Sequence, residues 1–126
     1  MTEHKYLDME RFANPPAIYR GMPFWAWNGK LDSETLKSQI EDFREMGFGG
    51  FYMHSRIGLA DEYLGPKFMQ CVLDCCDHAA GMDMVAGLYD EDKWPSGFGG
   101  GRVTQNPELA QRYLLFSAMR YENGLE

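Results

Sequence analysis

The sequence predicts an α/β fold in which three successive strands pair in parallel and helices connect them. Three short apolar runs recur along the chain, and the two segments between them space their apolar residues as helices do. The last two runs lack clean alternation of apolar and polar residues, which favours strands covered on both faces and therefore parallel pairing. With 126 residues and 44% hydrophobic content, the chain amounts to one domain or part of one and has enough apolar material for a core.

The first strand is expected after an extended lead-in over residues 1–22. Asn14-Pro15-Pro16 lies within that lead-in and argues against a helix or strand there. Pro23-Phe24-Trp25-Ala26-Trp27 is apolar and aromatic and is closed by the turn signal Asn28-Gly29. This run therefore predicts a buried strand.

The first long helix has clear start and stop signals. Asp32 is a good N-cap, and Gly47 supplies a residue that can adopt a left-handed conformation and end the helix. An apolar stripe at spacings of four and three lies between them: Leu36, Ile40 and Phe43.

The second strand is predicted over residues 49–53 and leads into His54-Ser55-Arg56. Pro66 suits the first turn of a second helix, which Gly81 ends. Its predicted buried stripe consists of Met69, Val72, Leu73, Cys76 and Ala80. Residues 84–89 are nearly continuous in apolar side chains and predict the third strand.

The spacing of the strands indicates part of a larger architecture. The predicted strand centres are about 25 and 35 residues apart, and a (β/α)8 barrel of about 250 residues averages roughly 31 per unit. Residues 23–106 therefore fit the first three β-α units of an incomplete TIM-type barrel. Three parallel strands cannot close into a barrel and leave two free edges, so self-association through those edges is expected.

The tail, residues 107–126, is interpreted as a linker or the start of an inserted β-structure. Asn106-Pro107-Glu108 can begin a short helical turn, with Asn106 as its cap. The aromatic segment 113–121 then resembles a strand, and Glu122-Asn123-Gly124 a hairpin turn. A terminal helix over residues 109–119 is the alternative. We favour a chain that stops in mid-hairpin, and thus a fragment.

Composition excludes several function classes. The net charge is −7 without a basic run, so nucleic-acid binding is not expected. No segment is long and apolar enough to span a membrane, and the N-terminus shows no signal peptide. Three cysteines clustered within six positions are not a disulfide framework, which indicates a reducing, cytoplasmic setting.

Chemically rich side chains follow all three strands, where loops of parallel β/α folds converge. They are Trp27 and Asn28, then His54 and Arg56, then Asp90, Glu91, Asp92 and Trp94. Aromatic, amide, guanidinium and carboxyl groups on one rim suit a small hydroxyl-rich ligand. Paired carboxyl groups are also what glycoside hydrolysis requires. We therefore predict these eight residues to bind substrate and leave the catalytic residues unassigned.

Each of these residues also has a structural interpretation. His54 is as consistent with a satisfied structural histidine as with a functional one. Residues 90–92 can be a solvated acidic loop, or can ligate a hard cation such as calcium, with at most two of the three carboxylates converging. Trp25 is expected to point away from Trp27 and to pack in the core, which leaves Trp27 on the rim.

The cysteines and the glycine-rich segment 97–101 are given structural roles. Cys71, Cys75 and Cys76 form no zinc pattern and are expected to act as small apolar packing residues. The glycine-rich segment lacks the lysine of a phosphate-binding loop and follows three carboxylates, so we interpret it as a flexible loop.

Three motifs in order resemble one family of enzymes. They are Pro23-Phe24-Trp25-Ala26-Trp27-Asn28-Gly29, then Gly49-Gly50-Phe51-Tyr52-Met53-His54-Ser55-Arg56, then Leu88-Tyr89-Asp90-Glu91-Asp92-Lys93-Trp94-Pro95-Ser96-Gly97. Together they resemble bacterial glycoside hydrolases of family 106, the α-L-rhamnosidase type, from about Pro23 to Pro107.

The resemblance implies a (β/α)8 barrel interrupted after its third strand, an inverting mechanism with paired glutamates, and a calcium ion near the sugar. It implies that the catalytic acid and base lie on later parts of the barrel, and that the ligand is a deoxyhexose-containing glycan or glycoside. The first hypothesis is thus the sugar-pocket part of a glycosidase, inactive alone. A non-catalytic subunit that assembles with another chain is the alternative, and a different barrel enzyme using a metal ranks last.

Overall fold

The computed structural model describes residues 8–94, 97, 99–116 and 118, which form a mixed α/β structure. Strands and helices alternate as the sequence predicts. The elements in chain order are α1 (Met9–Ala13), β1 (Phe24–Trp27), α2 (Ser33–Glu45), β2 (Gly50–Ser55), α3 (Pro66–Ala80) and β3 (Val85–Asp92). Short 3-10 turns cover Ala17–Tyr19, Gly99–Gly101, Val103–Gln105 and Pro107–Leu109.

The three strands form one parallel sheet in the order β1-β2-β3, which confirms the predicted pairing. Helices α2 and α3 cover one face of this sheet. On that face, Trp25 of β1 packs edge-on against Phe43 of α2, and Trp27 packs against Phe68 of α3. We call the opposite sheet surface the open face, because none of the described helices covers it. Its residues are Phe24, Ala26, Tyr52, His54, Gly87 and Tyr89.

The predicted start and stop signals of the two long helices are confirmed. The Asp32 side chain accepts a hydrogen bond from the Thr35 amide at 2.9 Å and caps α2. Gly47 follows that helix with φ +87, in the left-handed region that a side chain disfavours. Pro66 occupies the first turn of α3. These signals are local, so the sequence reveals them directly.

The predicted buried stripe of α3 is wrong in part: Val72 is buried and Cys76 is half-buried against the core, but the helix buries a different face. The buried residues are Phe68, Cys71, Val72, Cys75 and Ala79, whereas Met69 is 37% and Leu73 55% exposed. Both arcs of this helix are apolar, so spacing alone does not choose between them. The larger side chain decides the rotation, because Phe68 fills the space between Trp27 and Tyr63.

The lead-in is also more structured than expected. Residues 9–13 form the short helix α1 instead of an extended segment, because the Asp8 side chain accepts hydrogen bonds from the Glu10 and Arg11 amides at 3.1 Å. Asn14-Pro15-Pro16 lies after this turn and ends it. The prolines therefore mark where the helix stops, and they do not prevent its formation.

Only part of the predicted tail lies within the described residues. The turn at Pro107–Leu109 is confirmed, with the Asn106 side chain accepting from the Glu108 amide at 3.1 Å. Residues 111–116 form neither helix nor strand, so the alternative terminal helix is wrong, and the predicted strand is absent from its described portion. The proposed hairpin turn at residues 122–124 lies outside the described residues.

Two further features concern the described helices. None of them is long and apolar enough to cross a membrane. The three cysteines are free thiols, with Cys71 and Cys75 fully buried and Cys76 half-buried. The expectation that the cysteines pack as small apolar residues is confirmed, although the predicted stripe of α3 lay on a different face of the helix.

Candidate functional site

The carboxyl ends of the three strands lie side by side, as parallel pairing requires. The Arg56 amide donates to the Trp27 carbonyl at 3.0 Å, and the Lys93 amide donates to the Ser55 carbonyl at 3.2 Å. Hydrogen bonding thus continues one residue beyond β2 and β3. The segments that follow the strands are held against each other at this edge.

The expectation that Trp25 packs in the core while Trp27 lies on the rim is wrong. Trp25 and Trp27 both point toward the helices, and Trp27 is 2% exposed. Residues two apart on a strand share a face, so the strand places both indoles in the core. The aromatic side chain of β1 that reaches the open face is Phe24.

Asn28 follows β1 and is exposed at the same edge. The loop after β2 runs directly against it, because a Cβ added at Gly58 would lie 2.6 Å from the Asn28 carbonyl oxygen. Gly58 also has φ +104, which a residue with a side chain rarely adopts. Glycine at this position therefore permits the close approach of the two loops.

His54 is fully buried on the open face, between two aromatic rings. Its ring centroid lies 4.4 Å from that of Phe24 and 4.8 Å from that of Tyr89. Neither imidazole nitrogen has a hydrogen-bond partner within the described part of the chain. Burial and then the Arg56 charge lower the pKa of His54, against an opposite effect of Glu91 and Asp92. The neutral imidazole is favoured here.

A groove beside His54 contains two of the predicted site residues. It has a volume of about 520 Å³ and is lined by Phe24, Ala26, Arg56 and Trp94. Trp94 is 57% exposed and Arg56 half-buried, so an indole and a guanidinium reach the same space. One group offers an apolar ring face and the other several hydrogen-bond donors.

The three carboxyl groups at the end of β3 have different surroundings. Asp92 is 2% exposed and accepts a hydrogen bond from the Ser55 hydroxyl at 2.6 Å. Asp90 is exposed, and its backbone carbonyl accepts from the Tyr63 hydroxyl at 3.2 Å. Glu91 is half-buried, and its Oε2 has no partner among the described residues. In the described part of the chain, no three His, Cys, Asp or Glu side chains are grouped to hold a metal ion.

Sequence reasoning missed four residues of this region: Phe24, Ser55, Tyr63 and Tyr89. The place of Phe24 on the open face was predictable, because side chains alternate along a strand and Phe24 therefore lies on the face opposite Trp25 and Trp27. Ser55 was noted at a strand end without a role. The positions of Tyr63 and Tyr89 depend on a loop and on a register shift between β2 and β3, which a single sequence does not reveal.

Comparison with known proteins yields a likeness in fold. No family model matches the chain, and no curated protein matches it. The solved structure of a rhamnosidase from Novosphingobium sp. PP1Y is similar, with a TM-score of 0.59 and 19% sequence identity. The similarity covers 68% of this chain and 9% of the rhamnosidase chain. At this identity the likeness establishes a shared arrangement of strands and helices.

Proposed function

We propose that this chain forms the sugar-facing part of a glycoside hydrolase of the α-L-rhamnosidase type, family 106. In this proposal its three strands are the first β-α units of a (β/α)8 barrel. The likeness to a segment of a rhamnosidase supports the proposal, and so does the parallel order β1-β2-β3 with both long helices on one face. In such a barrel, helices cover the outer face of every strand, and the inner face is filled by side chains.

The open face fits the inside of that barrel. It carries the rings of Phe24, Tyr52, His54 and Tyr89, and Phe24 is 46% and Tyr52 42% exposed. Exposed aromatic rings on a parallel sheet call for a covering layer, because parallel sheets are ordinarily buried on both faces. Five further strands would supply that layer in a complete barrel of eight.

The observation that carries the function is the groove beside His54. Trp94 presents an indole face to the apolar side of a sugar ring, and Arg56 donates hydrogen bonds to hydroxyl oxygens. His54, in its neutral form, has one donor and one acceptor nitrogen for the same kind of ligand, and neither has a partner among the described residues. Asn28, Asp90 and Glu91 lie at the same strand ends and complete the proposed sugar pocket.

The proposal places the catalytic acid and base outside this chain. Glycoside hydrolysis needs two carboxyl groups on opposite sides of the scissile bond. We assign neither role to Asp90, Glu91 or Asp92, and we assign calcium to no residue described here. The purified chain is therefore expected to show no rhamnoside hydrolysis, and turnover abolished by Asp90→Ala would contradict this division of roles.

Sugar binding can be tested on the chain itself. Titration with L-rhamnose, followed by two-dimensional NMR, should shift the signals of Trp94, Arg56 and His54. Trp94→Ala and Arg56→Gln should each weaken the response by about tenfold, the effect of losing one good contact. Met46→Ala is the matched control, because Met46 is 71% exposed at the opposite end of the sheet. A wild-type response that both variants retain would refute the groove as the binding site.

A second function, a non-catalytic subunit that assembles with another chain, is supported by the two free edges of the described sheet. Strands β1 and β3 each have one neighbour. Unpaired strand edges are templates for pairing with another chain. The molar mass of the chain in solution tests this second function.

A further inference from the structure

The last part of β3 departs from regular pairing with β2. Met53 pairs with Leu88, and Ser55 pairs with Asp92, so the single residue His54 faces the three residues 89–91. The extra residues form a β-bulge. Bulges bend a strand and change the direction of its side chains, and they are common beside active sites.

Ser55 holds the far end of this bulge through two hydrogen bonds. Its hydroxyl donates to the Asp92 side chain at 2.6 Å, and its carbonyl accepts from the Lys93 amide at 3.2 Å. Both Ser55 and Asp92 are buried, at 1% and 2% exposure. Lys93 has φ +67, a left-handed conformation that non-glycine residues adopt when surrounding contacts enforce it.

A third contact holds the middle of the bulge. The Tyr63 hydroxyl donates to the Asp90 carbonyl at 3.2 Å, and the Tyr63 ring packs against Phe68 in the core. Within the segment held in this way, the Tyr89 ring lies 4.8 Å from His54 and 5.2 Å from Phe24. The position of Tyr89 therefore depends on how the bulge is held.

We propose that Ser55 and Asp92 are positioning residues that hold the bulge over residues 89–91 and thereby fix Tyr89 against His54. Asp92 then acts through Ser55 without direct contact with a sugar, because its side chain is 2% exposed. Its Oδ1 accepts from the Ser55 hydroxyl, and its Oδ2 lies 3.8 Å from the Lys93 ammonium nitrogen. The consequence for sugar binding rests on the proposed function. The placement of Tyr89 does not, because it concerns the chain without ligand.

The test compares Ser55→Ala, Asp92→Ala and Asp92→Asn by NMR of the unliganded chain. Ser55→Ala and Asp92→Ala should each abolish the cross-peaks between the Tyr89 and His54 rings. Asp92→Asn should retain them, because its amide oxygen still accepts from Ser55. The double variant with alanine at both positions should be no worse than either single variant, as expected for partners in one contact. Ser38→Ala, on the exposed side of α2, is the matched control.

L-rhamnose titration of the same variants provides the second measurement. Ser55→Ala should weaken binding by about tenfold, and Asp92→Asn should preserve it. No binding by the wild-type chain would refute the proposed function, while the ring cross-peaks would still decide the positioning roles. Unchanged cross-peaks in Ser55→Ala would overturn the proposal. If that variant does not fold, Asp92→Asn decides: retained cross-peaks are expected, and their loss overturns the proposal.

Discussion

His54 makes the stability of the fold depend on pH, because burial and the nearby Arg56 charge lower its pKa below the ordinary value of 6.5. The unfolded chain therefore binds a proton at this residue more readily than the folded chain does. Stability contributed by the neutral imidazole is present above about pH 6.5 and is lost as the pH falls through the folded pKa. We expect the wild-type protein to lose stability between pH 7.5 and pH 5.

Urea denaturation of wild type and His54→Phe at several pH values checks this prediction. The phenylalanine variant should show a smaller loss of free energy of unfolding on acidification, since it keeps an aromatic ring between Phe24 and Tyr89. His78→Gln is the control, because His78 lies outside the core and contacts Glu41 on α2. Equal pH dependence in wild type and His54→Phe would contradict a buried neutral imidazole.

The sequence predicted well which site residues lie at strand ends, and it predicted less well the direction in which their side chains point. Strand ends were predictable from short apolar runs and turn signals, so Asn28, His54 and Arg56 were placed at the correct edge. The direction of Trp27 was also available from alternation along β1, and our prediction applied that rule wrongly. The buried contact between Asp92 and Ser55 was not available, because it depends on the register of two strands.

Helix α3 buries Phe68 and exposes Leu73, so alanine substitutions at these two positions should have very different effects on stability. Phe68→Ala should lower the free energy of unfolding by about 3–5 kcal/mol, since Phe68 is 1% exposed and packs between Trp27 and Tyr63. Leu73→Ala on the same helix should cost about 0.5 kcal/mol or less, since Leu73 is 55% exposed. Urea denaturation of both variants measures the difference. Equal costs would contradict the observed face of α3.

Helix boundaries and helix faces differ in how far the sequence determines them. The boundaries of α2 and α3 follow from residues with local effects: a capping Asp32, a left-handed Gly47 and Pro66 in a first turn. The face of α3 is a tertiary property, because the helix offers apolar residues on both arcs and the sheet selects one. The early helix α1 was missed because Asn14-Pro15-Pro16 was interpreted as excluding a helix from the whole lead-in, and Asp8 was not considered as a cap.

At the scale of the whole molecule, the open face and the two free strand edges predict self-association of the isolated chain. Light scattering after size exclusion should give a molar mass above that of one chain and rising with concentration. Tyr52→Lys should lower that mass, since Tyr52 lies on the central strand and is 42% exposed on the open face. Met46→Lys, at the remote end of α2, is the control. A monomer at every concentration, with cooperative melting, would contradict this prediction and weaken both proposed functions.

The parallel sheet was predictable from the sequence. The three-stranded sheet does not by itself determine whether the strands belong to a closed barrel. The order β1-β2-β3 follows from the rule that successive β-α units lie side by side, with their helices on one face. Closure depends on the tilt and stagger of all strands together, and three strands do not determine either quantity. The barrel therefore stays part of the proposed function.

The labelling rates of the three thiols of α3 can measure how often this core opens. Thiolates are the species that react with alkylating reagents, and burial raises the pKa of Cys75 to about 12. Burial also raises the pKa of Cys76, so access of the reagent makes the difference: Cys71 and Cys75 are fully enclosed, whereas Cys76 is half-buried. A reagent should therefore modify Cys76 early and the other two sulfurs only during openings that lift α3 from the sheet. The slow phase of labelling would then report how often the helix detaches, without any introduced probe.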